Sequence, residues 1–229
     1  MPYSEPNSSA LTPTAIFGGM FNPPHFGHLH PLQDALSLLS LDKLALMPCH
    51  IPPHKVTPKV STEHRLAMLA LLCAEDRRFC IEDIEIRSNK TSYTVETLKQ
   101  LRKRTQSPLW LFMGTDSFNS LRSWHQWQSL IQLCNIFVLK RGREALLHFP
   151  EISEYMDCSA KRHLNEAQLL SLHTQTGKVV ALETKLLNVS STQIRNEIRT
   201  RNESEAKISE ALLPESVLNY IHKHHLYES

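Results

Sequence analysis

Between Ala15 and His28 the chain reads Ala-Ile-Phe-Gly-Gly-Met-Phe-Asn-Pro-Pro-His-Phe-Gly-His. An apolar strand runs into paired glycines, passes two prolines and opens a helix near Gly27-His28. No other stretch restricts the fold as much, because strand, tight loop and helix in immediate succession make one βα unit. Gly18 and Gly19 let the backbone reach positive φ and let a ligand approach the main chain with no Cβ in the way. The helix start that follows leaves N–H groups unpaired and carries partial positive charge, which suits an anion such as phosphate. His25 and His28 stand at the same place, and each can donate a hydrogen bond to a phosphate oxygen. Loop, helix end and imidazoles together point to a polyphosphate ligand.

The rest of the chain alternates in the same way. Short apolar strands are expected at 14–17, 43–49, 79–86, 109–113, 136–140 and 179–183. Helices are expected at 26–39, from Ser61 or Thr62 to about 75, 92–104, 124–133, 165–173, 190–201 and from Pro214 onward. In the first helix Leu29, Leu32, Leu36 and Leu39 fall at spacings that make one buried stripe. Ser61 and Thr62 are N-cap candidates, and Pro214 suits a first helical turn. Residues 142–177 carry the weakest pattern. Strands alternating with helices imply a parallel sheet covered on both faces, with ligands at the carboxyl ends of the strands. One domain is expected over 14–229, behind a polar tail at 1–13.

Composition removes several classes of function. Lys+Arg number 25 against Asp+Glu 23, a formal net charge of +2, where a dedicated nucleic-acid binder usually shows a strong basic excess. The five cysteines, Cys49, Cys73, Cys80, Cys134 and Cys158, are odd in number, scattered and without a CxxC pair, so they read as reduced thiols, neither a disulfide frame nor a zinc site. The first residues lack the basic start and apolar run of a signal peptide. The longest apolar candidate, Leu66 to Ala74, is too short to span a membrane. A soluble cytoplasmic protein is expected.

A second motif lies far downstream: Val189-Ser190-Ser191-Thr192-Gln193-Ile194-Arg195. Hydroxyls at a helix start, with an arginine one turn later, can grip phosphate oxygens from one helix end. The opening stretch fits neither the Walker loop nor the spaced dinucleotide fingerprint. It resembles the signature Gly-Gly-x-Phe-x-Pro-x-His-x-Gly-His of the HxGH nucleotidyltransferases. The downstream motif resembles the Ile/Val-Ser-Ser/Ala-Thr-x-Ile-Arg signature that completes their ATP site. Ser92-Tyr93-Thr94, Gly114-x-Asp116-Ser117, Trp124, Pro52-Pro53-His54-Lys55 and the closing Leu213-Pro214-Glu215 through Tyr227 narrow the likeness to the bacterial nicotinate-mononucleotide adenylyltransferases. The likeness covers almost all of 14–227 and is weakest at about 143–172. At Asn22 many relatives have Asp; a neutral amide there argues against a metal-ligand role, and no protein metal ligands are assigned.

The resemblance implies a Rossmann-like α/β fold of nucleotidyltransferase type, with a parallel sheet and helices on both faces. It implies transfer of AMP from ATP to nicotinate mononucleotide, giving deamido-NAD and pyrophosphate, with Mg²⁺ accompanying the triphosphate. His25, His28 and Arg195 are then the catalytic residues. Gly18, Gly19, Asp116, Ser191 and Thr192 join them around ATP, Asp116 at the ribose and adenine near 138–141. Phe17, His54, Lys55, Tyr93, Thr94 and Trp124 would surround the mononucleotide, Trp124 against the pyridine ring and His54 and Lys55 at its phosphate. Other readings stay open: an HxGH transferase acting on nicotinamide mononucleotide or phosphopantetheine, or making a CDP-alcohol, and a non-catalytic nucleotide sensor. A nucleic-acid enzyme related to aminoacyl-tRNA synthetases fits poorly with the short chain and the +2 charge. Oligomeric state leaves no mark on the sequence.

Overall fold

The computed structural model of the chain describes residues 14–52, 59–140, 145–185, 187, 189–200 and 212–228, with side chains at 158–160 left aside. Its centre is a seven-stranded sheet in which every pairing is parallel. The strands are β1 (Thr14–Gly19), β2 (Leu44–Pro48), β3 (Phe79–Ile81), β4 (Leu109–Gly114), β5 (Asn135–Lys140), β6 (Met156–Lys161) and β7 (Val179–Glu183). Their spatial order is β3-β2-β1-β4-β5-β7-β6. The chain therefore winds outward from β1 in one direction, returns, and winds outward from β4 in the other. That reversal places the topological switch between β1 and β4.

Side chains of successive strand residues divide cleanly between two cores, as a pleated strand requires. Phe17, Leu46, Phe112, Phe137 and Leu182 face one core, which α1 (Phe26–Leu38) covers with Leu29, Leu32 and Leu36. Ile16, Met47, Leu111, Met113 and Val138 face the other, under α4 (Thr94–Arg104) and its Val95, Leu98 and Leu101. Both faces are thus covered, and the expected leucine stripe is buried, Leu39 included. A third cluster joins α2 (Thr62–Ala74), α8 (Ser191–Arg199) and α9 (Glu215–Lys223) through Met68, Ile194 and Ile221. Ser61 caps α2 by accepting from the N–H of His64 at 3.4 Å. Among the described residues, no helix is long and apolar enough to cross a membrane.

Several expectations are corrected. The strand expected over 79–86 ends at Ile81; the Glu82 carboxylate accepts from the N–H of Ile84 at 3.0 Å and starts the short helix α3 (Ile84–Ser88). The helix expected over 124–133 is confined to α6 (Ser129–Leu133), because Gln126 takes a left-handed conformation, φ 50°, that breaks the helix before it. In the weakly patterned section, α7 (Glu166–Thr174) forms behind an Asn165 cap as expected, but β6 was not anticipated. It is a polar edge strand, Met-Asp-Cys-Ser-Ala-Lys, with an irregular register against β7.

Candidate active site

The ladder between β1 and β4 runs from Thr14↔Leu109 to Phe17↔Phe112, while β1 continues to Gly19 and β4 to Gly114. The two strand ends, with the loop at 20–25 above them, frame the crevice at the switch point. Gly18 and Gly19 do not supply a left-handed turn. They remain extended in β1, paired with Met47 and Pro48 of β2, and Phe21 makes the turn instead with φ 47°. Gly27 carries the steric demand: a Cβ there would lie 2.6 Å from Cγ1 of Val189 and 2.9 Å from Nδ1 of His25. The first turn of α1 is therefore pressed against the start of the downstream motif.

His25 is the N-cap of α1 and is buried. Its N–H points to Nδ1 of His28 at 3.3 Å, and the two rings lie 3.8 Å apart between centroids. Phe17 and Phe21 pack edge-on or tilted against His28, at 6.2 and 5.2 Å. The Phe17 side chain is thus part of the core that braces His28, and its backbone lies in the ladders with β2 and β4.

The downstream motif folds onto this loop. Ser190 caps α8 by accepting from the N–H of Gln193 at 3.1 Å. Ser191 Oγ donates to the Pro23 carbonyl at 2.9 Å. Arg195 donates through Nη1 to the Asn22 carbonyl at 2.8 Å and through Nη2 to Thr192 Oγ1 at 3.0 Å. Two motifs 168 positions apart are brought into direct contact. The Ser191 hydroxyl spends its one hydrogen on Pro23, whereas the Thr192 hydroxyl accepts from Arg195 and keeps its own for another acceptor.

Two residues that sequence reasoning overlooked complete the loop's support. Arg65 of α2 is 1% exposed. Its Nη1 donates to the carbonyls of Met20 at 3.0 Å and Cys49 at 2.8 Å, just past the ends of β1 and β2, and its Nη2 to Thr62 at 3.1 Å. Burial pulls its pKa below the ordinary arginine value. The sequence signal was an arginine in register with Met68, Leu69 and Leu72, a buried stripe at helical spacing. Tyr227, third from the end of the chain, donates to Asn22 Oδ1 at 2.7 Å.

The other expected residues lie along the same end of the sheet. Asp116 is exposed in the first turn of α5 (Thr115–Asn119), directly after β4. Tyr93 caps α4 without a side-chain bond and Thr94 is its first residue. Both Tyr93 and Trp124 pack partly buried against the same core, and His125 brings its ring to 4.6 Å from Tyr93. Behind them Glu85 is buried; Thr97 Oγ1 donates to it at 2.9 Å, and burial raises its pKa. Ser92, which also bonds Glu85, accepts from the N–H of His50 at 3.1 Å and so ties the loop after β2 to the start of α4. His54, Lys55 and Arg141 fall outside the described residues. Among the described residues, no group of three or more His, Cys, Asp or Glu is placed to hold a metal. A cavity of about 440 Å³ lies at the opposite end of the strands, between α7 and the first residues of β6 and β7, and shares no residue with this site.

A family model described as cytidylyltransferase-like matches residues 16–197. A protein of Shewanella sp. (strain MR-4) named "Probable nicotinate-nucleotide adenylyltransferase" is 41% identical over 93% of this chain and 98% of its own. A protein of the same name from Serratia proteamaculans (strain 568) is 34% identical over 99% of this chain and its entire length. The nicotinic acid mononucleotide adenylyltransferase of Plasmodium falciparum, solved with NaAD, superposes with a TM-score of 0.70 at 16% identity, covering 95% of this chain and 98% of that one. At that identity the last likeness carries the fold alone.

Proposed function

The chain belongs to the cytidylyltransferase-like family, within its nicotinate-nucleotide adenylyltransferases, and we infer that it transfers AMP from ATP to nicotinate mononucleotide. An oxygen of the mononucleotide's 5′-phosphate attacks the α-phosphorus of ATP. A new P–O bond forms, the bond to the β-phosphate's bridging oxygen breaks, and its electron pair leaves with pyrophosphate. An ionised phosphate is already a nucleophile, so no side-chain base is required, and the protein's task is alignment and charge stabilisation.

The observation that carries the assignment of residues is the contact between the two phosphate-binding motifs at the strand switch, through Arg195, Ser191 and the loop they hold. In this assignment His25 and His28 face the phosphates undergoing transfer, while Arg195 and Thr192 serve the β and γ phosphates. Ser191 contributes mainly by holding Pro23. Asp116 reaches the ribose. Tyr93, Thr94 and Trp124, with His125 beside them, receive the nicotinate ring. His54 and Lys55 remain assigned to the mononucleotide phosphate by family resemblance alone. Magnesium would arrive with the triphosphate, held by phosphate oxygens and water; the Asn22 amide oxygen is engaged by Tyr227, which suits an ion that keeps several of its waters. The free thiols of Cys73, Cys80 and Cys134 accord with a reducing, cytoplasmic setting.

The test is pyrophosphate release from ATP and Mg²⁺ with nicotinate mononucleotide, and separately with phosphopantetheine. Deamido-NAD and pyrophosphate in equal amounts are expected with the first and no release with the second. No product with either would leave a nucleotide-binding protein without this activity.

A further inference from the structure

We propose that Tyr227, at the end of the chain, is a positioning residue for the phosphate loop, acting through Asn22. The last turn of α9 shows how it gets there. His225 N–H bonds back to the His222 carbonyl at 3.2 Å and Leu226 N–H to the Ile221 carbonyl at 3.0 Å, with His225 left-handed at φ 52°. This is the paired-bond helix ending that normally places glycine at the left-handed position. It reverses the chain so that Leu226 packs beside Ile221 in the third core cluster and Tyr227 turns toward the loop. Tyr227 itself is left-handed, φ 69°, as is Phe21 on the loop, φ 47°. Bulky residues rarely hold that conformation, and they hold it where the surroundings impose it. Phe21 directly precedes Asn22 in the chain, and the Asn22 amide oxygen accepts from the Tyr227 hydroxyl at 2.7 Å while its carbonyl accepts from Arg195.

Tyr227 is 9% exposed, and burial pushes its phenol well above the ordinary tyrosine range. It is therefore the hydrogen donor at any working pH. Asn22 leads through Pro23 and Pro24 directly into His25, so fixing its side chain and its carbonyl fixes the entry to the helix start that carries both histidines. The C-terminal residues thus complete the site in place rather than merely closing the fold.

The rate arm of the test rests on the adenylyltransfer proposed above; the exchange arm does not. Tyr227→Phe removes only the hydroxyl. It is expected to lower kcat about tenfold, the upper range for one lost hydrogen bond, with the KM for ATP changed by less than about threefold. Amide hydrogen exchange over 20–28 should quicken while the strands keep their protection. Leu218→Ala, which empties part of the same cluster and leaves the Leu226 anchor and the hydroxyl in place, should lower Tm more than Tyr227→Phe yet keep kcat within about twofold at 25 °C. Wild-type kcat in Tyr227→Phe, unchanged exchange over 20–28, or an equal loss of kcat in Leu218→Ala would each overturn the proposal. Should the wild-type protein release no pyrophosphate, the adenylyltransfer assignment fails, and the exchange comparison still decides the role of Tyr227.

Discussion

The N–H of His25 points at Nδ1 of His28 from 3.3 Å, and the two imidazoles lie 3.8 Å apart at 35°. While Nδ1 of His28 accepts that bond, the hydrogen of the uncharged form of the ring would sit on Nε2. The helix start thus fixes which nitrogen of His28 donates. The ring is braced by Phe17 and Phe21, so in the proposed mechanism the donor is set before substrate arrives.

His28→Ala should accordingly depress kcat much more than it raises the KM for ATP, because a preorganised donor acts where charge develops. Loss of one such donor costs about 100- to 1000-fold in rate. Steady-state kinetics on the purified variant, with circular dichroism to establish that it is folded, measures this. Near-normal turnover would remove His28 from the chemistry.

Arg195 has a different signature. Two of its donors are committed to Asn22 and Thr192, which leaves the rest of the fork for the triphosphate. Arg195→Lys keeps the charge but cannot hold the loop and meet phosphate together. A roughly 10- to 150-fold fall in kcat/KM for ATP is expected, the range for one charge-assisted hydrogen bond. The KM for the mononucleotide should change little. Initial rates with each substrate varied in turn separate the two, and equal losses for both would contradict the assignment.

Glu85 gives a pH dependence of stability. Burial raises its pKa above the usual glutamate value of 4.5. Between that value and the raised one, the folded protein binds a proton that the unfolded chain has released. Stability contributed by this group is therefore full below pH 4.5 and declines as pH rises through the window. Glu85→Gln should flatten that part of the profile, measured as the urea midpoint from pH 4 to pH 8. Parallel profiles for the two proteins would assign the slope to other groups.

The two motifs that meet at the strand switch were legible because their signals are local. The histidines at the helix start, the leucine stripe of α1 and the hydroxyl cap of α8 are each set by neighbours within a few positions. What stayed hidden depends on partners distant in the chain. The hydrogen bond from Tyr227 to Asn22 spans 205 positions, and nothing around either residue announces it. Arg65 hid differently, since an arginine in an apolar stripe looks like an interruption until two buried carbonyls appear above it. Gly18 and Gly19 drew attention for a turn that Phe21 makes. The polar edge strand β6 and the left-handed Gln126 defeat periodicity outright, because neither leaves an apolar repeat to read.

The measurement that tests the account most directly is kcat/KM for nicotinate mononucleotide against nicotinamide mononucleotide at saturating ATP. The substrates differ only as carboxylate and carboxamide. At the start of α4, Glu96 and Thr97 make the first helix bonds, to the Tyr93 carbonyl at 2.9 and 3.1 Å, so the N–H groups of Thr94 and Val95 precede the helical ladder and suit an anion. A carboxamide there would set its own NH₂ against those donors. With charge-assisted bonds each contributing about 1.5–3 kcal/mol, the acid should be preferred at least about a hundredfold, or about 2.7 kcal/mol. A ratio near one, or a preference for the amide, would contradict both the substrate and the pocket assigned to Tyr93, Thr94 and Trp124.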